Sequence, residues 1–148
     1  KGYNTDEHGF KKAIQPLLKE HHKKALILGT GGASKAIAYA LRSLKIEYDF
    51  VSRNPDEFQI YYDELNAELF EEYTIIINTT PVGTFPNIDE SPNLDYSLFT
   101  KKHIAFDLVY NPEESLFLKQ AKANNATTKN GYEMLVFQAE KAWKIWNK

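Results

Sequence analysis

Cysteine is absent from the 148-residue chain. Its absence excludes disulfides, thiolate nucleophiles and cysteine-ligated metals. It also fits a reducing compartment, so the cytoplasm is the expected location. No apolar run approaches the roughly 18 residues that cross a bilayer, and no signal-peptide pattern is visible. An excess of one charge is lacking too: 18 basic residues face 20 acidic ones, for a formal net charge of −2. That balance gives no electrostatic case for nucleic acid or for an anionic membrane. The four histidines, His8, His21, His22 and His103, do not have the spacing of a zinc pair with a carboxylate partner, so no metal is expected. No GxSxG nucleophile motif occurs, and there is no internal repeat or low-complexity segment. What remains is an ordinary globular composition, 43% hydrophobic and 26% charged, long enough for one domain with a real core.

Apolar strand-like runs alternate with helical ones along the chain. A first helix is expected from Asp6, capped by Thr5 or Asn4, with Phe10, Ala13, Ile14, Leu17 and Leu18 as its apolar stripe. Pro16 should kink or split it. Strands are expected at Ala25–Gly29, Tyr48–Ser52, Tyr73–Asn78 and Ile104–Leu108, with a short one near Ala126–Thr128. The run Thr74-Ile75-Ile76-Ile77 has no polar alternation, as in a parallel strand buried on both faces. Helices are expected at Lys35–Leu44, from Pro55 to about Leu65, at Glu114–Asn124 and at Tyr132–Trp146. In the last, Leu135, Ala139, Ala142, Trp143 and Trp146 form the obvious packing stripe. This alternation predicts an α/β domain: an open parallel sheet with helices on both faces, of the Rossmann-like dinucleotide-binding kind.

The first strand runs directly into Gly29-Thr30-Gly31-Gly32-Ala33-Ser34, and a helix follows. Strand, glycine turn and helix are the context in which a backbone loop holds a pyrophosphate, because the helix N-terminus offers free N–H groups and partial positive charge. Ser34 stands where the usual pattern has a third glycine. About 20 positions beyond such a loop, NAD sites carry an acidic residue for the ribose 2′-hydroxyl. This chain has Ser52, then Arg53 and Asn54; Asp49 falls too early and is expected on a strand face. An arginine can bind a 2′-phosphate through two hydrogen bonds. The cofactor expected is therefore NADP. Ligands in such sheets bind beyond the carboxyl ends of the strands. That places Asn78-Thr79-Thr80-Pro81-Val82-Gly83 and the Asp107–Tyr110 turn in range, along with a long loop from Thr79 to Lys102.

Taken in order, six stretches resemble shikimate dehydrogenase. They are GYNTD at Gly2–Asp6, GTGGAS at Gly29–Ser34, SRN at Ser52–Asn54, NTTPVG at Asn78–Gly83, DLVYNP at Asp107–Pro112 and NGYEMLVFQA at Asn130–Ala139. The resemblance runs nearly end to end, to the carboxyl-terminal, NADP-binding part of that family. The chain opens on Lys1-Gly2-Tyr3, which looks like the middle of a longer protein. Residues 1–148 are thus expected to be one NADP-binding domain, without the amino-terminal substrate domain.

The resemblance implies NADPH-dependent reduction of 3-dehydroshikimate to shikimate in aromatic amino-acid biosynthesis. It implies that Gly29, Thr30, Gly31, Gly32 and Ala33 hold the pyrophosphate, and that Ser52, Arg53 and Asn54 surround the 2′-phosphate. Thr79 and Thr80 would line the cofactor groove. Leu108 and Gly131 would offer backbone contacts near the nicotinamide, with Met134 packing there. Asp6 would be the catalytic aspartate, contacting a substrate hydroxyl and supporting a lysine's proton transfer; Tyr110 and Gln138 would contact substrate. Two departures stand out. Glu57 occupies a position where the family often has a second basic residue, and no segment like NVTxPxK supplies the family's lysine. The chain alone is therefore expected to bind cofactor without turnover. A quinate-using relative and a non-catalytic nucleotide-sensing module are the alternative readings.

Overall fold

The structure, a computed structural model, describes residues 5–56 and 59–147. Helix α1 (Thr5–Ile14) passes into a 3₁₀ turn at Gln15–Leu17, where Pro16 ends the α-helical hydrogen-bond ladder. Strand β1 (Lys24–Leu28), helix α2 (Gly32–Ser43) and strand β2 (Glu47–Ser52) follow. Then come β3 (Ile60–Tyr61), α3 (Ala67–Glu72), β4 (Ile75–Asn78), β5 (Ile104–Asp107), α4 (Leu116–Ala123), β6 (Thr127–Lys129) and α5 (Tyr132–Trp146). The six strands form one sheet in the order β3-β2-β1-β4-β5-β6, and every neighbouring pair is parallel.

Strand periodicity divides the core into two layers. Ala25, Ile27, Ile75, Ile77, Ile104 and Phe106 point to one face, where Phe10, Ile14, Ile37, Leu41 and Met134 of α1, α2 and α5 cover them. Leu26, Leu28, Val51, Ile76 and Ala105 point to the other, beneath Phe70, Phe117 and Leu118 of α3 and α4. Both faces of β4 are thus buried, which is why its sequence shows no alternation. The Phe10 and Phe106 rings meet edge to face at 4.8 Å, tying α1 to the middle of the sheet.

Two expectations need correction. No helix runs from Pro55 to Leu65: Ile60 and Tyr61 instead pair with Val51 and Ser52 as a short edge strand. The helix starts later because Asn66 is a strong N-cap, its side chain accepting from the Leu69 N–H at 2.9 Å. The packing face of α5 is also not the tryptophan stripe. Trp143 is 67% exposed and Trp146 86%, whereas Met134 is buried and Phe137 packs against the core. Gly9 explains the rotation. A side chain there would run into the Met134 carbonyl and the Gln138 side chain, so a bare backbone lets α1 and α5 approach on the 134/138 face.

The histidines are structural where buried. His22 accepts from the Lys19 N–H at Nδ1 (2.9 Å) and bonds the Lys102 carbonyl through Nε2 (3.0 Å). His103 bonds the Phe70 carbonyl through Nε2 at 2.7 Å. Burial lowers the pKa of both, so they stay neutral near neutral pH. Asp49 accepts from the Tyr73 hydroxyl, in keeping with a strand-face role. Among the described residues no cluster of His, Cys, Asp or Glu could hold a metal, and no helix is long and apolar enough to cross a membrane.

Candidate functional site

The chain leaves β1 for β2 on one side of the sheet and enters β4 on the other. That reversal opens a crevice outside the carboxyl ends of β1 and β4, the usual ligand position in such sheets. The glycine loop fills its floor. Gly29 has φ of +109°, its N–H bonds the Val51 carbonyl at 2.9 Å, and a Cβ there would lie 2.7 Å from Thr79 Oγ1. A side chain at this position is excluded both by backbone conformation and by space. Gly31 is the N-cap of α2 and no side chain caps the helix. A Cβ at Gly31 or Gly32 would meet nothing within 4 Å. The start of α2 at Gly31 and Gly32 therefore faces open space, whereas the Ser34 N–H is already bonded to the Gly31 carbonyl at 3.1 Å. Ser34 does what a third glycine would do for packing: it is fully buried, and its hydroxyl donates to the Gly31 carbonyl at 2.6 Å.

The register of β1 with β2 pairs Leu28 with Val51, so Gly29 lies level with Ser52. Ser52 accepts from the Asn54 N–H at 3.1 Å and shapes the turn that carries Arg53. Arg53 is exposed and makes no hydrogen bond or ion pair with a described residue. It sits one residue past the position level with Gly29, and an exposed guanidinium can take an anion through two hydrogen bonds. Glu57, the expected departure, lies outside the described residues, as do Gly2, Tyr3 and Asn4 of the first matching stretch.

On the other side of β1, a cleft of about 470 Å³ runs from Ala33 past Thr79, Thr80 and Pro81 to Leu108 and Tyr110. Thr79 is fixed by its hydroxyl donating to the Leu28 carbonyl at 2.6 Å. Thr80 donates through both its N–H (3.0 Å) and its hydroxyl (2.7 Å) to Asn78 Oδ1. The sequence does not single out what supports these walls. Register places Asn78 opposite Asp107, and both are fully buried. Asp107 accepts from Asn78 Nδ2 (3.1 Å), from the Val109 N–H (3.0 Å) and from the Ser115 hydroxyl (2.5 Å). One carboxyl thus joins the 79–80 wall, the 108–110 wall and the N-cap of α4. The signal for it is a polar residue ending each of two otherwise apolar strands. Thr84, Phe85, Val109 and Asn111 also line the cleft; they fall in the loop and the DLVYNP stretch expected near a ligand, but the sequence does not assign them a role one by one.

Burial pushes the Asp107 carboxyl up to about 6, against the pull of its three donors. Between about pH 4, where an unfolded aspartate titrates, and pH 6, the native state keeps a proton that the unfolded state has lost. The stability that this proton confers is present below that window and is lost as pH rises through it. Asp107→Asn is expected to remove this component. Urea unfolding of variant and parent at pH 4.5 and 6.5 reads it as a difference, so other titrations cancel. An unchanged pH dependence in the variant would count against a buried proton.

Gly131 presses on the β5 turn: its N–H bonds the Val109 carbonyl at 3.2 Å, and a Cβ would strike the Leu108 carbonyl. Met134 is buried one turn into α5 and does not line the cleft. Asp6, in the first turn of α1, accepts a hydrogen bond from the Gln138 side-chain amide. Two expected substrate residues, 132 positions apart, are thereby brought together across the α1–α5 contact. Tyr110 stands separately, half exposed at the cleft wall.

An all-parallel sheet with a glycine loop at its switch point defines the class: a Rossmann-like domain of the dinucleotide-binding kind. Comparison with known proteins goes further. A shikimate dehydrogenase (NADP(+)) of Caldanaerobacter subterraneus subsp. tengcongensis is 38% identical over 162 residues, covering 99% of this chain and 58% of that protein. The shikimate 5-dehydrogenase of Thermus thermophilus, solved in complex with NADP(H) and shikimate, superposes with a TM-score of 0.82 at 33% identity, over 98% of this chain and 57% of that one. Quinate dehydrogenase from Corynebacterium glutamicum, solved in complex with NAD, gives 0.77 at 26% identity, over 97% and 56%. No family model matches the sequence. The chain is a homologue of the shikimate dehydrogenases, matching them over their Rossmann-like part. It spans a little under three fifths of the length of the relatives it matches.

Proposed function

We propose that residues 1–148 are the NADP-binding domain of a shikimate dehydrogenase, which acts with an amino-terminal substrate domain to reduce 3-dehydroshikimate to shikimate. The observation that carries this reading is the open N-terminus of α2, which no side chain caps, with Arg53 on the turn after the adjacent strand, exposed and without a hydrogen bond or ion pair to a described residue. Gly29, Thr30, Gly31, Gly32 and Ala33 receive the pyrophosphate on backbone N–H groups. Arg53 takes the 2′-phosphate, with Ser52 and Asn54 at its side. Thr79 and Thr80 form the groove wall. Leu108 and Gly131 present backbone at the nicotinamide end, which Met134 underpins from the core.

NADPH, when bound, supplies the hydride. The protein's part is orientation and proton transfer. Asp6, held by Gln138, accepts from a substrate hydroxyl and supports the lysine that the amino-terminal domain brings. Tyr110 contacts substrate from the cleft wall. On this reading the chain alone binds cofactor and does not turn over.

The 2′-phosphate is the discriminating group, because a carboxylate would repel it and Arg53 attracts it. NADP+ is expected to bind more tightly than NAD+, and Arg53→Ala to remove most of the difference. The loss should be about 1.5–3 kcal/mol, the usual worth of a hydrogen bond to a charged group. Calorimetric titration of both cofactors reads it directly. Equal affinities in the parent chain would overturn the NADP assignment and favour an NAD-using relative.

A further inference from the structure

Phe85 is 63% exposed, yet it lines the cleft and is not a loose loop residue. Its N–H bonds the Asn111 carbonyl at 2.8 Å, which ties the 79–85 segment to the segment after β5. The turns on either side are closed as well: the Thr84 N–H bonds the Pro81 carbonyl at 3.1 Å, and the Asn87 N–H bonds the Thr84 carbonyl at 2.9 Å. The backbone thus holds this aromatic side chain at the cleft although no aromatic ring of the described residues packs on it. An exposed phenylalanine in a fixed place, beside an apolar wall of Pro81, Leu108 and Val109, presents a large apolar face that water does not satisfy.

Sheet order says which half of a dinucleotide this end can serve. Arg53 follows β2, the pyrophosphate loop follows β1, and the Phe85 cleft lies past β4 and β5 on the opposite side. An adenosine half held at Arg53 leaves the other nucleotide's ring on the Phe85 side. We propose that Phe85 is a binding residue for the planar nicotinamide ring, one wall of a slot whose other walls are Leu108 and Val109. The proposal rests on the dinucleotide reading and adds a residue and a ring contact to it.

Two ligands separate the two claims. Adenosine 2′,5′-bisphosphate carries only the adenosine and phosphate half, whereas NADP+ carries both halves. Titrations of the parent, Phe85→Ala and Phe85→Tyr with each ligand form the test, with thermal unfolding to check that the variants remain folded. Phe85→Ala is expected to weaken NADP+ binding on the order of fivefold, the size of one aromatic stacking contact. It should leave adenosine 2′,5′-bisphosphate binding unchanged. Phe85→Tyr should keep both affinities. NADP+ affinity unchanged in Phe85→Ala, or both ligands weakened alike, overturns the ring contact while leaving the dinucleotide reading intact. Failure of the parent chain to bind either ligand overturns both.

Discussion

Gly131→Ala is expected to lower the stability of the domain by about 4 kcal/mol, beyond the usual range for a single overpacking change. The conformation of Gly131 is not the reason, since φ −82° and ψ 3° suit any residue. The reason is space: a Cβ would lie within bonding range of the Leu108 carbonyl, which is backbone and cannot rotate away. Relief requires α5 to move off the β5 turn. That would break the Gly131–Val109 hydrogen bond and disturb Met134 in the core. For a chain of this size the thermal midpoint should fall by roughly 10 °C, as read by circular dichroism. Gly31→Ala is the internal control, because its Cβ meets nothing. Equal midpoints for Gly131→Ala and the parent would show that the close approach is not rigid.

The second large effect concerns the chemistry. In a protein completed by an amino-terminal substrate domain, Asp6→Asn is expected to lower kcat by about 10²–10⁴-fold, the range for removing a participant in general acid–base catalysis. The substitution keeps the size of the side chain and the α1–α5 packing around Gly9, and deletes only the carboxylate that Gln138 holds. NADP+ affinity should be unchanged, since Asp6 does not line the cleft. Steady-state kinetics with shikimate checks the first point and titration the second. A kcat within a factor of two of the parent would remove Asp6 from the catalytic machinery.

Much of this architecture is legible in the sequence because strands buried on both faces cannot be written any other way. Ile75-Ile76-Ile77 and Ala25-Leu26-Ile27-Leu28 announce themselves. The final helix falls at Tyr132–Trp146, the span its periodicity predicts. Its buried face is not legible, because hydrophobicity alone favours Trp143 and Trp146 and the deciding residue, Gly9, sits 125 positions or more away in α1. Edge strand β3 is hidden for a similar reason: two residues pair only because Val51 and Ser52 are beside them. At the site, the glycine loop and Arg53 are local patterns and read directly. The Asn78–Asp107–Ser115 network depends on the β4–β5 register, and the Asp6–Gln138 bond on helix packing. Composition carries neither.

The central claim is that the carboxyl edge of this sheet holds a dinucleotide with its 2′-phosphate at Arg53. Amide resonances of the isotopically labelled chain, followed during titration with NADP+, test it most directly. Saturable shifts are expected at Gly31, Gly32 and Ala33, at Arg53 and Asn54, and at Thr79, Thr80 and Leu108, with NAD+ failing to move Arg53 and Asn54 to the same extent. Shifts absent from the glycine loop, or confined to surfaces away from these strand ends, would contradict it.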